Sequence, residues 1–441
     1  MHKAINTFID KLKSNAFIDK LKNSPLFKDS FWALLGSVLG KGLSLLAGIL
    51  VARFLGKEMY GQYGLIKNTL FNIAVFSTLG LGYTGTRYIA KSFADNKGEI
   101  RQIIKIIYRI TLIASGIVAT CVLVFAKPIA VFLKAPDMDN ALRLTSIIVI
   151  FNAINTTQIG ILSGFKEFKE IAKNNTYAGI VTFLSSGILA YFWGFEGALV
   201  ALLISMLFNA VINFYSTNKV LKTIPSTSSE ETTSTKEIMS FSIPIALQES
   251  MYTFVHLASS YLMIFYGGYG EMGILSAASQ WSSVMLFIPG VMKNVMLSHF
   301  SSSESTASLR KKLLLINGSC TLVPWVFIVL FSKFIASFYG ESFTNLHLVL
   351  IISCAHSVFS AMSSVMVYEF VSHGKNWQMF FLRLGRDSMA ILLSWWCLAN
   401  IKTIQASILY SSSGTLVACI FMVALLFLSR GLDKTDPKIE Q

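Results

Sequence analysis

Long apolar runs alternate with short polar segments along most of the chain. A helix needs about 20 mainly apolar residues in succession to cross a bilayer. About twelve runs meet this criterion, at residues 31–55, 63–88, 107–126, 141–163, 176–194, 197–215, 241–266, 273–298, 313–335, 346–371, 379–399 and 406–428. The pattern predicts an all-α polytopic membrane protein, with about twelve transmembrane helices in two six-helix halves around a central cavity.

The longest polar segment, residues 216–240, is rich in Ser, Thr and Glu and lies between the sixth and seventh predicted helices. This composition is typical of a flexible linker. The predicted parts are a basic N-terminus (1–30), an N-terminal half (31–215), the linker, a C-terminal half (241–428) and a tail (429–441). The N-terminus repeats the motif FIDKLK, which favours an amphipathic helix on an anionic membrane surface. A solvated basic tail is the alternative.

Lysine and arginine are distributed unequally between the two predicted sides of the membrane. They are concentrated in the N-terminus, the linker, the tail and the loops near residues 91–105, 166–173 and 310–312. The opposite side carries only Lys57, Lys127, Lys134, Lys333 and Lys402. Because cytoplasmic loops carry the excess of Lys and Arg, we expect both termini to be cytoplasmic.

The composition agrees with a membrane protein. Of the 441 residues, 54% are hydrophobic and 14% are charged, and the net charge is +14. In a soluble chain this charge would suggest a nucleic-acid partner, but here topology and an anionic ligand account for it, so no nucleic acid is expected. The five cysteines all lie in apolar runs. We interpret them as packing residues, and no metal site is predicted.

An internal repeat supports the two-half arrangement. YGQYGL at 60–65 recurs as YGEMGI at 269–274, an offset of 209 residues. Both copies join the first and second predicted helices of their halves. Six helices per half give the halves the same orientation, as in transporters with parallel repeats that bind substrate between the halves.

Two stretches near the N-terminus resemble a known family. They are ILVARFLGKEMYGQYGL (49–65), with its Arg-x-Leu-Gly and Tyr-Gly-x-Tyr motifs, and STLGLGYTGTRYIAK (77–91), whose Leu-Gly-Leu is followed by Arg87. They look like the opening of bacterial Wzx-type polysaccharide transporters of the multidrug/oligosaccharidyl-lipid/polysaccharide exporter (MOP) superfamily.

The resemblance implies a flippase for surface polysaccharide (O-antigen or capsule) biosynthesis in the bacterial cytoplasmic (inner) membrane. Such a protein moves undecaprenyl-diphosphate-linked oligosaccharide from the inner to the outer leaflet. Its partners would be that substrate, membrane lipids and polysaccharide assembly proteins.

Ionisable residues inside the predicted helices are the candidate binding site. Lys41 lies in the middle of the first helix, on a face shared with Ser37, Ser44 and Gly48. Polar faces at membrane depth indicate a hydrated cavity, because lipid would leave these groups unpaired. Bases exceed acids in the predicted helices, which favours a diphosphate ligand. The predicted substrate-binding residues are Lys41, Arg53, Lys67, Lys293 and Arg386.

Each of these residues has an alternative role. Arg53 and Lys67 lie where their side chains could snorkel to the membrane surface. Lys41 could form a structural pair with Glu249, and Arg386 could belong to a structural pair. The spacing of Arg383 and Asp387 also predicts that these two neutralise each other.

Glu249 and His256 are predicted to couple transport to an ion gradient. They lie on one face of the seventh helix, about two turns apart. We expect Glu249 to pair with Lys41 and to take up Na⁺ or H⁺ when substrate arrives, with His256 as a proton relay. A packing role for His256 is the alternative. No cofactor is predicted.

Two other functions are weighed against the flippase. A drug or cation antiporter of the same superfamily would need an acidic or aromatic cavity, which the basic excess opposes. A membrane enzyme acting on lipid-linked sugars would need a large loop with catalytic residues, and the predicted loops are short and carry no such motif. We therefore expect a transporter and not an enzyme.

Overall fold

The computed structural model of the chain describes residues 25–95, 99–133, 135–224, 235–290, 292, 296, 300, 306–373 and 375–435. Residues 1–24 of the predicted N-terminal segment, 225–234 of the linker and 436–441 of the tail lie outside these residues. The described residues form helices joined by short loops and contain no strand. The predicted all-α fold is therefore confirmed.

The described residues form twelve α-helices, numbered here in chain order. They are α1 (Pro25–Thr78), α2 (Leu81–Asp95), α3 (Ile100–Val124), α4 (Ala126–Phe132), α5 (Asp139–Thr145), α6 (Ile147–Gly164), α7 (Phe168–Leu221), α8 (Thr235–Met285), α9 (Thr306–Ser337), α10 (Leu346–Ser372), α11 (Asn376–Asn400) and α12 (Ala406–Thr435). A short 3₁₀ helix, Pro136–Met138, precedes α5.

Among the described residues, seven helical stretches are long and apolar enough to cross a membrane. They are Val38–Thr78, Ile100–Val124, Asp139–Gly164, Phe168–Leu221, Ser308–Ser337, Leu346–Val371 and Ala406–Ser429. Large apolar side chains are exposed along them, for example Phe192, Leu330 and Phe427. A surface of this kind suits hydrocarbon, so the chain is a multi-pass membrane protein.

Three of the longest helices bend sharply at a glycine. Gly56, Gly194 and Gly268 have φ values of 70°, 56° and 71°, a region that side chains with a Cβ rarely adopt. Each bend divides its helix into two arms. The two arms of α1 fold back on each other, since the Gln280 side chain contacts both Gly48 on the first arm and Tyr60 on the second, whereas a straight helix would hold these two residues about 18 Å apart. The three bends lie at one end of the bundle, called here the bend side.

The second arm of α1 and the second arm of α8 cross closely near the bend side. A Cβ placed on Gly61 would lie 1.9 Å from the Tyr269 carbonyl oxygen, and one placed on Gly273 would lie 2.0 Å from the Lys57 carbonyl oxygen. Glycine is therefore needed at both positions. We call this contact, defined by Gly61 and Gly273, the glycine crossing.

The glycine crossing also sets the register of the internal repeat. Gly61 meets the backbone of Tyr269 and Gly273, and Gly273 meets the backbone of Lys57 and Gly61. This reciprocity requires an offset of 212 residues (273 − 61 and 269 − 57), the same offset that separates the bends at Gly56 and Gly268. The predicted repeat is therefore present, and its predicted offset of 209 was wrong by three residues.

Contacts between helices run mainly within two groups. In the first part of the chain α1 packs along α7, and α6 packs against α2 and α7. In the second part α10 packs against α9 and α12, and α11 packs against α12. The two groups meet where α1 contacts α8. The predicted boundaries of the halves stay predictions; α7 ends at Leu221 and α8 begins at Thr235.

Buried polar side chains bind each other inside the bundle. Asn174 of α7 donates to Asn213 Oδ1 at 2.8 Å, and Asn213 donates to Asn155 Oδ1 at 2.6 Å. Arg310 of α9, predicted as a surface charge, is 6% exposed and pairs with the fully buried Glu369 of α10 at 2.8 Å. These groups therefore stabilise helix packing and do not line an open surface.

Candidate cationic binding sites

Lys41 projects from an exposed face of α1. The neighbouring residue Gly40 packs against α7, where a Cβ at Gly40 would lie 2.3 Å from the Asn175 carbonyl oxygen. This close packing fixes the rotation of the first arm and leaves Lys41 and Ser44 exposed. The predicted polar face of α1 is therefore accessible at these two residues.

Lys67 lies on the second arm of α1, within electrostatic range of Lys41. Its ammonium nitrogen lies 5.9 Å from the centre of the Tyr63 ring, and Tyr63 is buried. A cation over an aromatic face is held by the ring quadrupole. The bend at Gly56 thus brings together two lysines that the sequence predicted as binding residues. We call them the lysine pair.

Gln280 of α8 forms a polar contact beside the glycine crossing. Its amide nitrogen donates to the Tyr60 hydroxyl of α1, and its side chain lies against Gly48 on the other arm of α1. One side chain of α8 thus touches both arms of α1. The sequence gave no sign of this contact, which depends on the fold.

The remaining predicted site residues either lie elsewhere in the structure or fall outside its described residues. Arg53 is exposed one turn before the Gly56 bend, a position that also suits snorkelling. Lys293 lies outside the described residues. Glu249 belongs to α8, but its side chain lies outside the described part of the chain. The predicted Lys41–Glu249 pair and its role in ion coupling therefore stay predictions.

Arg386 lies in a second polar region, formed by α8, α10, α11 and α12. The structure has a cavity of about 550 Å³ here, whose polar lining consists of Ser360, Ser363, Ser364, Arg383, Arg386 and Asp387. We call it the Arg386 cavity. Its volume is within the range of about 300–1,000 Å³ that is usual for small-molecule sites.

The Arg386 side chain is held by two neighbours. Its Nε donates to Asp387 Oδ1 at 2.7 Å, and its guanidinium carbon lies 5.1 Å from the centre of the Phe421 ring. The spacing rule had selected Arg383 as the partner of Asp387, and it did not identify this pair with the adjacent Arg386. The predicted alternative, that Arg386 belongs to an ion pair, therefore agrees with the geometry.

Two histidines lie near the Arg386–Asp387 pair. His256 of α8 interacts electrostatically with Asp387, and His356 of α10 interacts with both Arg386 and Asp387. The structure thus brings His256 within electrostatic range of Asp387, the partner of Arg386, although the sequence had placed His256 and Arg386 in separate roles. His356 was missed. A single histidine within an apolar run was its only signal in the sequence.

Comparison with known proteins agrees with an all-helical membrane fold. The model of a family described as "Polysaccharide biosynthesis protein" matches residues 26–292. A search of curated protein sequences gave no match.

Solved structures show the same fold. An inward-facing multidrug resistance MATE transporter of the MOP superfamily has 17% identity and a TM-score of 0.74, covering 90% of this chain and 96% of that one. An outward-facing MATE structure has 16% identity and a TM-score of 0.65, covering 95% and 99%. The lipid II flippase MurJ has 14% identity and a TM-score of 0.66, covering 90% and 87%. These proteins are transporters and a flippase, in agreement with the prediction that the chain is not an enzyme.

Proposed function

Because the chain belongs to the polysaccharide biosynthesis protein family and has the fold of MOP-superfamily transporters, we propose that it is a flippase for lipid-linked oligosaccharide. The cargo is an oligosaccharide on undecaprenyl diphosphate, moved from the inner to the outer leaflet of the bacterial cytoplasmic membrane. O-antigen or capsule assembly is the biosynthetic setting, and the termini are cytoplasmic.

The lysine pair is the observation that carries the proposal. Lys41 is exposed, and the ammonium of Lys67 lies within electrostatic range of it. Two like charges at membrane depth repel each other and are costly to desolvate. A diphosphate between them would remove the repulsion and accept hydrogen bonds from both ammonium groups. The pair is thus suited to the anionic link between lipid and sugar.

Reconstituted vesicles test this proposal. Protein with wild-type lysines should move a fluorescent lipid-linked oligosaccharide between leaflets, measured by quenching with an impermeant reagent. Lys41→Glu should abolish movement, Lys41→Arg should retain part of it because the charge stays while its geometry changes, and Lys67→Gln should slow it. Lys402→Gln is the matched control, since Lys402 lies beside Tyr266 at the bend side. Full activity of Lys41→Glu would rule out anion binding by the lysine pair.

The same vesicles separate the flippase from an antiporter. Multidrug transporters share the fold, so an organic cation offered as substrate is the appropriate comparison. Proton-driven or sodium-driven uptake of the cation, without movement of the lipid-linked sugar, would favour the antiporter.

A further inference from the structure

Two basic side chains lie one turn apart on the exposed face of α3. The opposite face, with Ile103, Ile107 and Thr111, is buried, and α3 packs against α1, α2 and α6. Lys105 and Arg109 are exposed, and their i,i+4 spacing places the two Cβ atoms about 6 Å apart, where like charges repel each other. Among the described residues, neither base has an ion-pair or aromatic partner. We call them the α3 basic pair.

The length of α3 places this pair at the edge of the hydrocarbon. Lys127 of α4 is exposed just beyond Val124, the bend-side end of α3. A hydrocarbon layer about 30 Å thick takes about 20 residues of helix, so counted back from Val124 it ends near Lys105. Arg109 lies one turn, about 5–6 Å, inside it. Because helical side chains point towards the N-terminus of their helix, Arg109 reaches back towards Lys105 and the headgroups.

Beyond the basic pair, the exposed face of α3 continues as an apolar track. Leu112, Ile113 and Ile117 are 50%, 58% and 61% exposed. A Cβ at Gly116 would have no neighbour within 4 Å, so this residue leaves an open gap in the track. Large apolar side chains with this exposure on a membrane helix contact hydrocarbon. A ligand that matches the whole face therefore carries an anionic group at the basic pair and a hydrocarbon chain along the track.

The corresponding helix of the second half has a different arrangement. At the repeat offset of 212 residues, α3 corresponds to residues 312–336 of α9, so Lys312 is level with the first residue of α3. Lys311 and Lys312 are both exposed, but the residues one turn further along, Leu315 and Ile316, are exposed and apolar. Bases at the membrane surface are thus shared by both helices, as the excess of Lys and Arg in cytoplasmic loops explains. The base one turn inside the hydrocarbon distinguishes α3.

We propose that this face of α3 binds an acidic phospholipid of the inner leaflet, with its phosphate between Lys105 and Arg109 and one acyl chain along the apolar track. The guanidinium can bind two phosphate oxygens at once and the ammonium a third. The bound anion removes the repulsion within the basic pair. A choline phospholipid fits less well, because it brings its own cation to the site. The proposal goes beyond the proposed function, on which only the choice of leaflet rests, since this lipid is a resident of the bilayer and not cargo.

Quenching by nitroxide-labelled lipids tests the proposal with the full-length protein in nanodiscs. Ile113→Cys, in a background without the five native cysteines, carries a bimane fluorophore beside the basic pair. Phosphatidylglycerol with a nitroxide on its acyl chain should bind at least about fivefold more tightly than labelled phosphatidylcholine, the gain expected from one base near an anionic headgroup. Lys105→Gln with Arg109→Gln should abolish this preference. Arg109→Lys should keep most of it, because the charge stays.

The two lysines of α9 provide the matched control. Lys311→Gln with Lys312→Gln removes the same charge at the corresponding end of α9 and should leave the preference at Ile113→Cys unchanged. A bimane at Leu315→Cys should show a smaller preference for phosphatidylglycerol. Equal preference at the two labelled positions would overturn the proposal, because it would show only a general attraction to the net charge of +14.

A single variant keeps the test valid if the double change in the basic pair fails to fold. Thermal unfolding shows which variants are folded, and Arg109→Gln alone should reduce the preference, since it removes the base inside the hydrocarbon. An unchanged preference in folded Arg109→Gln would overturn the proposal.

Free phosphate identifies the source of the anion. Inorganic phosphate at millimolar concentration should leave the quenching by labelled phosphatidylglycerol unchanged, because it lacks the chain that occupies the track. A fall of this quenching to the level of phosphatidylcholine would reassign the basic pair to a free anion. No cargo lipid is present in these measurements, so their outcome is independent of the proposed function.

Discussion

Substitution of the glycines at the glycine crossing should force the bend side open. Gly61→Ala adds a carbon 1.9 Å from the Tyr269 carbonyl oxygen, and Gly273→Ala adds one 2.0 Å from that of Lys57. Backbone atoms cannot move aside as a flexible side chain does. Relaxed non-bonded contacts lie at about 3.5–4.0 Å, so the two arms must separate by roughly 1.5–2 Å.

The energetic cost follows from this displacement. Overpacking of a close contact typically costs about 1–3 kcal/mol. Because 1.4 kcal/mol corresponds to a factor of ten, the population of conformations with a closed bend side should fall by a factor of about 5 to 150. The double variant should cost less than the sum of the two single-variant costs, since both methyl groups act on one contact. Transport should slow in either single variant, because the carrier no longer closes fully.

Labelling of a cavity residue measures the opening. Ser44→Cys, in a background without the five native cysteines, offers a reporter next to Lys41. An impermeant maleimide applied from the bend side should label it faster in Gly61→Ala and Gly273→Ala. Gly42→Ala and Gly318→Ala are matched controls, because a Cβ at either position has no neighbour within 4 Å. Equal labelling in all four variants would refute the role of the glycine crossing as a bend-side closure.

Two buried contacts give predictions about stability. Glu369→Gln should lower the free energy of unfolding by about 3–5 kcal/mol, because it leaves the buried Arg310 guanidinium without its carboxylate. The double change Arg310→Met with Glu369→Leu should recover most of this lost stability, because no buried charge is left unpaired. Fluorescence-detected thermal unfolding in detergent measures both, and a loss below about 1 kcal/mol in Glu369→Gln would contradict the burial argument. Glu271 accepts bonds from the Ser407 amide and hydroxyl at the start of α12, at 3.0 and 2.5 Å. Glu271→Ala should therefore cost about 1–2 kcal/mol and Ser407→Ala less, since the amide bond remains; the opposite order would refute it.

The helices were readable from the sequence because lipid imposes a simple pattern. The predicted apolar runs fall on helical residues, apart from short breaks at 79–80, 125 and 146 and the later part of 273–298. The Gly56 bend was signalled by its Arg-x-Leu-Gly motif. The bends at Gly194 and Gly268 had no comparable motif, but they fall at the predicted breaks between 176–194 and 197–215 and between 241–266 and 273–298.

The repeat offset shows where pattern reading fails. Matching Tyr-Gly pairs aligned Tyr60 with Tyr269, whereas the structure aligns Gly56 with Gly268. A shift of three residues rotates a helix by only about 60° from its original face. The polar and apolar faces therefore nearly coincide in both registers, and only the backbone contact between Gly61 and Gly273 distinguishes them.

For the candidate sites, too, the sequence indicates the residues but not how they are grouped. Lys41, Lys67 and Arg386 could be selected because charge at membrane depth is rare and costly. Their grouping could not be, because the bend at Gly56 and the packing of α11 decide it. Spacing along one helix is a weak guide to such partners, because an i,i+4 pair is worth about 0.2–0.5 kcal/mol, whereas a cation–π contact such as that of Arg386 with Phe421 on another helix reaches about 0.5–2 kcal/mol.

The position of the lysine pair on α1 has a consequence for the transport cycle. α1 also carries Gly61 of the glycine crossing, which joins this helix to α8. A ligand shifts a conformational equilibrium only by its difference in affinity for the two states. The crossing stabilises conformations closed at the bend side, so a cargo that binds the lysine pair more tightly in those conformations should lose affinity in Gly61→Ala and Gly273→Ala. Calorimetry with the lipid-linked cargo measures this change, and unchanged affinity in both variants would show that binding at the lysine pair is independent of bend-side closure.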